Sequence, residues 1–297
     1  MPSPIHVHAQ PGSFSRWIFL ILVLIAFLYS RGWLCLRRTA PTLFPVWRLL
    51  GFLGGLLAIG VAVGSPLGAL DHQALTAHML KHLMLMVVAA PLTLLGAVSR
   101  PLRSGLPNWV TRGSLLFTTR LASSLGRLFG NSIFCWLAGT TTVVVWHIPF
   151  FFQLGLSSPA WHTIEDASFI CAGLLFWKPI ITPPPNEANA PQWSLVIYLF
   201  LATVPCDILS AFLAFCGRVV YPYYLSTDQT FTLSALEDQE CAGALMWVAV
   251  TFAYLIPAVL ITTDLLSTDG VHFEQLAPST SCSPSAAELR GSEIEVP

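Results

Sequence analysis

DHQALTAHMLKHLMLMVVAAPLTLLG, residues 71–96, is the stretch on which the fold turns. It is long enough to cross a bilayer, which takes about 20 predominantly apolar residues, yet its first third carries His72, His78 and His82. His78 and His82 stand four residues apart, just over one helical turn, so both imidazoles leave one face of a helix. An ionisable group at that depth costs roughly 2.5 kcal/mol or more without a partner and marks a functional position. The pair has the spacing of metal ligands inside a membrane.

Composition agrees with a membrane class. Of the 297 residues, 55% are hydrophobic and only 10% charged, against about 25% charged in soluble domains, and the mean hydropathy is +0.69. A net charge of -1 without a basic patch gives no reason to expect nucleic acid. The cysteines (Cys35, Cys135, Cys171, Cys206, Cys216, Cys241, Cys282) form no CxxC and lie mostly in apolar runs, so no disulfide or zinc framework is expected.

Working outward from 71–96, apolar runs occupy 17–36 and 43–63 before it and 133–148, 161–181, 193–216 and 242–260 after it, the last with a short extension to 266. The expected fold is therefore all-α, a polytopic bundle of seven transmembrane helices over residues 16–266. Residues 1–15 form an outer tail carrying His6 and His8. Residues 267–297, rich in Ser, Pro and Glu, are expected to be a disordered tail. The connection 99–130 holds Arg100, Arg103, Arg112, Arg120 and Arg127, with Phe117, Leu121, Leu125 and Leu128 at helical spacing, which suits a helix lying in the interface.

Arginine and lysine set the orientation, since short loops rich in them face the cytoplasm. Arg31, Arg37, Arg38 and Arg48 follow or flank the first helix and five more arginines follow the third, whereas the connections after helices two and four have none. The amino terminus is thus expected outside and the carboxyl terminus in the cytoplasm. That topology puts all of the eight histidines except His272 on the outer side. His72, His78 and His82 come from helix three, His147 from the end of helix four and His162 from the start of helix five. Glu165, Asp166 and Asp238 share this side.

Neutral imidazoles from several helices, with carboxylates to orient them, make a transition-metal site. His78, His82, His147 and His162 are the expected ligands. Met79 and Met86 flank the pair, and thioether beside imidazole favours Cu(I). Glu165, Asp166, Asp238 and His72 would orient the ligands, and Asp207, deep in helix six, is a further intramembrane acid, placed there either for a structural hydrogen bond to a neighbouring helix or for a ligand or proton-handling role. No nucleophile and base pair and no phosphate loop is found, so binding rather than catalysis is expected. A haem-binding redox protein and, less favoured, a metal transporter are the alternatives.

Three separated motifs carry a family resemblance: AHMLKHLMLMVVAAPLTLLG, WHIPFFFQLGLSSPAWHTIEDASFICAGLLFWKPII and DQECAGALMWV. Over roughly residues 43–265 they resemble the CtaG-type cytochrome c oxidase assembly factors, seven-helix proteins of the bacterial inner membrane. The resemblance implies a role in maturing a haem-copper oxidase, by holding or delivering copper at the outer face to an oxidase subunit or another copper chaperone. It points to His78, His82, His147, His162 and Asp238. The chain departs from the family pattern at Lys81, where Gln is common, and at Asp166, where a second histidine commonly follows Glu165.

Overall fold

The computed structural model describes residues 14–64, 67–106, 126, 128–183, 192–226 and 233–276. Among these the chain is helical, without strands: α1 (Phe14–Thr39), α2 (Val46–Gly64), α3 (Leu67–Leu70), α4 (Leu75–Leu83), a π-helical turn (Met84–Ala89), α5 (Ala90–Leu95), α6 (Ser99–Gly105), α7 (Ser132–His147), α8 (Pro149–Ser157), α9 (Pro159–Ile181), α10 (Trp193–Phe215), a 3-10 turn (Pro222–Leu225) and α11 (Ala235–Leu276). His6, His8, most of the connection expected as an interfacial helix, and residues 277–297 lie outside the described residues.

Five helical segments are long and apolar enough to span a bilayer: Trp17–Thr39, Val46–Gly64, Leu75–Leu95, Trp193–Phe215 and Ala235–Ser267. The pair α7 and α8, bent by 79°, makes a sixth if counted as one span. The expectation of seven is therefore met only in part. α9 is a continuous helix of 23 residues, but His162, Glu165, Asp166 and Lys178 dilute its apolar run. At the carboxyl end α11 continues to Leu276, past the end of the apolar run.

Half of Leu75–Leu95 is buried, against 17–28% of each of the other four spans, which puts the histidine-bearing helix at the centre of the bundle. The α1–α2 pair has its own small core. There Tyr29 stacks on Phe52 with ring centroids 3.8 Å apart and donates a hydrogen bond to the Gly96 carbonyl at 2.6 Å. Gly32 of α1 lies against the Pro101 carbonyl of α6, an approach that any Cβ would block. On the other side, α10 lies along α11 and α9 along α7.

Local sequence accounts for the boundaries that matter. Asn131 Oδ1 caps α7 by accepting from the Ile133 and Phe134 amides. Pro149 drives Ile148 into the extended region and ends α7 at His147. The same proline opens α8, and Ser158 with Pro159 opens α9. Ser234 and Glu237 form a reciprocal capping box at the start of α11, with the Ser234 amide donating to Glu237 Oε2 at 2.7 Å.

Candidate metal centre

α4 has no cap of its own, since Ala74 stands at the N-cap. Asp238 from the first turn of α11 supplies one: its carboxylate accepts from the Leu75 amide at 2.6 Å and the Thr76 amide at 3.2 Å. Below it, His78 and His82 project from one face with ring centroids 4.3 Å apart. The opposing wall is α9, whose buried stripe of Glu165, Asp166, Phe169, Ala172, Gly173, Phe176 and Trp177 follows the helical period. Gly173 lets α9 close on the π-helical turn, where a Cβ would meet Met86 Cα at 3.0 Å, and the Trp177 indole donates to the Met86 carbonyl at 3.0 Å. Phe152 from α8 lies against His78 and stacks on Tyr221, while Phe169 stacks on His82.

His78, His82 and Glu165 each offer a ligand atom, and those atoms all lie within 4.8 Å of one another. His78 Nε2 is 3.4 Å and His82 Nε2 3.7 Å from Glu165 Oε1. None of these three atoms has a hydrogen-bond partner, though all are buried, and orphaned polar atoms in a core call for a missing ligand, ion or water. Two donors bound at about 2.0–2.1 Å in a tetrahedral shell sit ~3.4 Å apart, so the spacing fits donors around one metal better than donors bonded to each other. Gly155 of α8 makes room for the carboxylate, since a Cβ there would stand 2.6 Å from Glu165 Oε2.

A second cluster adjoins the first through His162. Asp71, His72 and His162 also bring ligand atoms within 4.8 Å, but Lys81 is already among them. The three N–H donors of its ammonium face Asp71 Oδ2 at 2.6 Å, Asp166 Oδ1 at 2.9 Å and His162 Nε2 at 2.6 Å. The same Nε2 stands 2.9 Å from Asp71 Oδ2, so it either accepts from Lys81 or donates to Asp71, and the His162 Nδ1 is turned to Glu165 Oε2 at 3.4 Å. Burial alone would raise the Asp71 carboxyl, but His162 and Lys81 outweigh it and hold the group well below the usual carboxylate range. Burial pushes His72 down, with Asp71 pulling the other way. A cavity of about 490 Å³, lined in part by Asp71, His72, Lys81, His162, Asp166 and Tyr223, adjoins this cluster. Asp71, Glu165 and Asp166 against one lysine leave a formal excess of negative charge, which a bound cation would offset.

The tyrosines between α10 and α11 fasten the site from above. Tyr221 donates to the His147 carbonyl at 2.9 Å and Tyr224 to the Asp71 carbonyl at 2.8 Å. Burial pushes both phenols up, so they remain neutral donors. Gln239, fully buried, accepts from the Val220 amide and donates to the Arg218 and Leu213 carbonyls, which holds this loop on α11.

The structure therefore brings together His78, His82, His162, Glu165 and Asp166 from the expected set, with His72 at the edge. It places other members elsewhere. His147 belongs to neither ligand cluster; its Nδ1 donates to the Val143 carbonyl at 2.7 Å, and with Met79 and Met86 it lines a separate cavity. Asp238 caps α4 through the Leu75 and Thr76 amides, and among the described residues no hydrogen bond or ion pair joins it to an imidazole. Asp207 is half-buried and pairs with Thr203 one turn back on its own helix. The sequence reading missed Asp71 as a buried partner, because its contacts to His162 and Lys81 bridge 91 and 10 residues. It also put Glu165 behind the histidines rather than between them; His162 three residues earlier on α9 was the available signal.

Between residues 27 and 268 the sequence matches the profile of the cytochrome c oxidase caa3 assembly factors. The chain belongs to that family. Among curated proteins it is similar to uncharacterized proteins of Mycobacterium bovis and Mycobacterium tuberculosis, each 24% identical over 255 residues, and of Mycobacterium leprae, 23% identical over 267 residues. These alignments cover 82–86% of this chain but only 37–38% of the relatives, so the chain spans little more than a third of their length. No solved structure matches.

Proposed function

We propose that this protein binds copper at His78, His82 and Glu165 on the outer side of the bacterial inner membrane and supplies it to an assembling haem-copper oxidase, either directly to an oxidase subunit or through another copper chaperone. The observation that carries this is the buried trio of unpartnered donor atoms with metal-like spacing, in a chain of an oxidase assembly family. Two imidazoles and a carboxylate form a borderline donor set that suits Cu(II). His162 faces Glu165 through Nδ1 and both Lys81 and Asp71 through Nε2, so it is poised to orient the carboxylate or to join the shell as copper enters.

Several features support the orientation. Arg37 lies over Trp33 and Arg48 over Trp47, pairs of the kind that anchor a membrane interface, at the end of the bundle opposite the histidines. Lys178 at the same end donates to the Phe129 carbonyl. The haem alternative finds little room, since the His78 and His82 rings lie 4.3 Å apart with Phe169 stacked on one and Phe152 beside the other.

The test is Cu(II) titration of the purified protein. Wild type is expected to take up Cu(II), and the His78→Ala, His82→Ala double variant to lose it. Cells lacking the gene are expected to show low oxidase activity that added copper restores. Full Cu(II) uptake by the double variant would sink the site as drawn.

A further inference from the structure

Beneath the His78–His82–Glu165 cluster lies a cavity of about 30 Å³, whose wall it shares through His82. That volume accommodates a water or a single ion and nothing larger. Small cavities in helical bundles are ordinarily lined by hydrocarbon and stay dry. This one is walled in part by hydrocarbon, from Leu83, Val87, Val143 and Val250, but Met79 of α4, Met86 of the π-helical turn, Cys206 of α10 and Met246 of α11 also line it, together with His147 of α7. Three of the five methionines in the chain thus line one small cavity from separate elements. Their relative exposures are 2%, 5% and 4%, and that of Cys206 is 3%, so all four are buried, with the Cys206 thiol also meeting the Tyr254 hydroxyl.

Methionine alone would be packing. His147 is the independent sign. Its Nδ1 donates to the Val143 carbonyl, which fixes the tautomer and leaves Nε2 with its lone pair. That Nε2 is buried and has no hydrogen-bond partner. A backbone carbonyl behind one ring nitrogen and an open lone pair on the other is the arrangement of a metal-ligating histidine. Tyr221 holds the His147 carbonyl as well, so the ring is steadied at both ends of its residue.

We propose that this cavity is a second metal site, taking a soft monovalent cation of the Cu(I) type through His147 Nε2 and the sulfurs of Met79, Met86, Met246 and Cys206. Thioether and thiol ligands select Cu(I), whereas the cluster above presents imidazole and carboxylate. The identity of the metal rests on the copper reading of that cluster; the existence of a soft-cation site does not. One bundle then holds two stations of different hardness that share the wall formed by His82.

The experiment titrates the purified full chain separately with Cu(I), against a competing chelator, and with Cu(II). Met246→Leu with Cys206→Ser conserves volume and is expected to weaken Cu(I) by at least the ~10–100-fold that loss of an outer ligand partner costs, with Cu(II) uptake unchanged. His78→Ala with Glu165→Gln is expected to abolish Cu(II) uptake and keep Cu(I). If Cu(I) affinity is the same in Met246→Leu, Cys206→Ser as in wild type, the soft site is overturned while the upper cluster stands. If Cu(I) binds through the sulfurs but Cu(II) never binds, the soft site stands and the copper reading of the upper cluster falls. Wild type that binds neither ion overturns both. X-ray absorption of Cu(I)-loaded wild type decides the matter should the double variant not fold: sulfur scattering is expected, and a shell of nitrogen and oxygen alone overturns the site.

Discussion

Lys81 and Asp166, the two positions at which the family resemblance led to an expectation of Gln and His, are in contact with each other at 2.9 Å, and their opposite charges offset each other. Lys81→Gln alone strands Asp71 and Asp166 as buried acids, and breaking such a pair costs about 3–5 kcal/mol. Adding Asp166→His is expected to recover part of that loss, with a coupling on the order of 1 kcal/mol or more in a double-mutant cycle of thermal stability; strict additivity would refute the pairing. Asp71 gives a pH prediction. Its folded carboxyl is held below the usual value, so its contribution is present above the unfolded pKa of ~3.9 and fades as pH falls through the depressed folded value. Asp71→Asn should therefore be less stable than wild type at neutral pH, and the difference should shrink as the medium is acidified below ~4. A gap that stays constant would mean Asp71 acts by shape alone. At this scale the sequence disclosed His78 and His82 through helical spacing, but the partners of Lys81 come from other elements, and no local pattern records them.

Among the elements, α4 depends on a cap it does not own. Asp238→Ala removes the acceptor for the Leu75 and Thr76 amides, and loss of an N-cap costs about 1–2 kcal/mol. The expected readout is faster hydrogen exchange in the first turn of α4 and weaker Cu(II) uptake although no ligand is touched; unaltered exchange at Leu75 and Thr76 would count against the cap. The sequence reading placed Asp238 at the same end of the bundle as the histidines, yet its role became visible only once α11 was packed on α4. The π-helical turn at Met84–Ala89 is a similar case. Its trace in the sequence is an unbroken apolar run, and the Trp177 indole that takes the Met86 carbonyl is 91 residues away. By contrast, the bend at Pro149 and the start of α9 at Ser158–Pro159 follow from local rules of capping and proline geometry.

For the molecule as a whole, composition and apolar runs delivered the membrane class, whereas the central position of Leu75–Leu95 came from its burial in the bundle. The number of spans was less legible, because α9 trades apolar length for the acids that face the histidines, and the α7–α8 pair divides one span at a proline. Sidedness remains a prediction of the arginine distribution. In a cysteine-free background, Ser226→Cys on the histidine side should react with an impermeant thiol reagent on intact cells, and Thr182→Cys on the arginine side only after permeabilisation. Both positions are exposed, so the reverse pattern would invert the topology and move the metal site to the cytoplasm. Buried Lys81 also bears on how the chain is made. The segment Leu75–Leu95 carries an ammonium and two imidazoles into the bilayer, and its partner His162 is synthesised 81 residues later. A lysine costs up to ~2.5–3.5 kcal/mol at insertion when it lies at a helix centre and less toward an end, and until α9 leaves the ribosome Lys81, seven residues into the span, has only Asp71 to offset its charge. Stable integration of the central helix is thus expected to depend on the arrival of α9, whose Asp166 meets the ammonium directly.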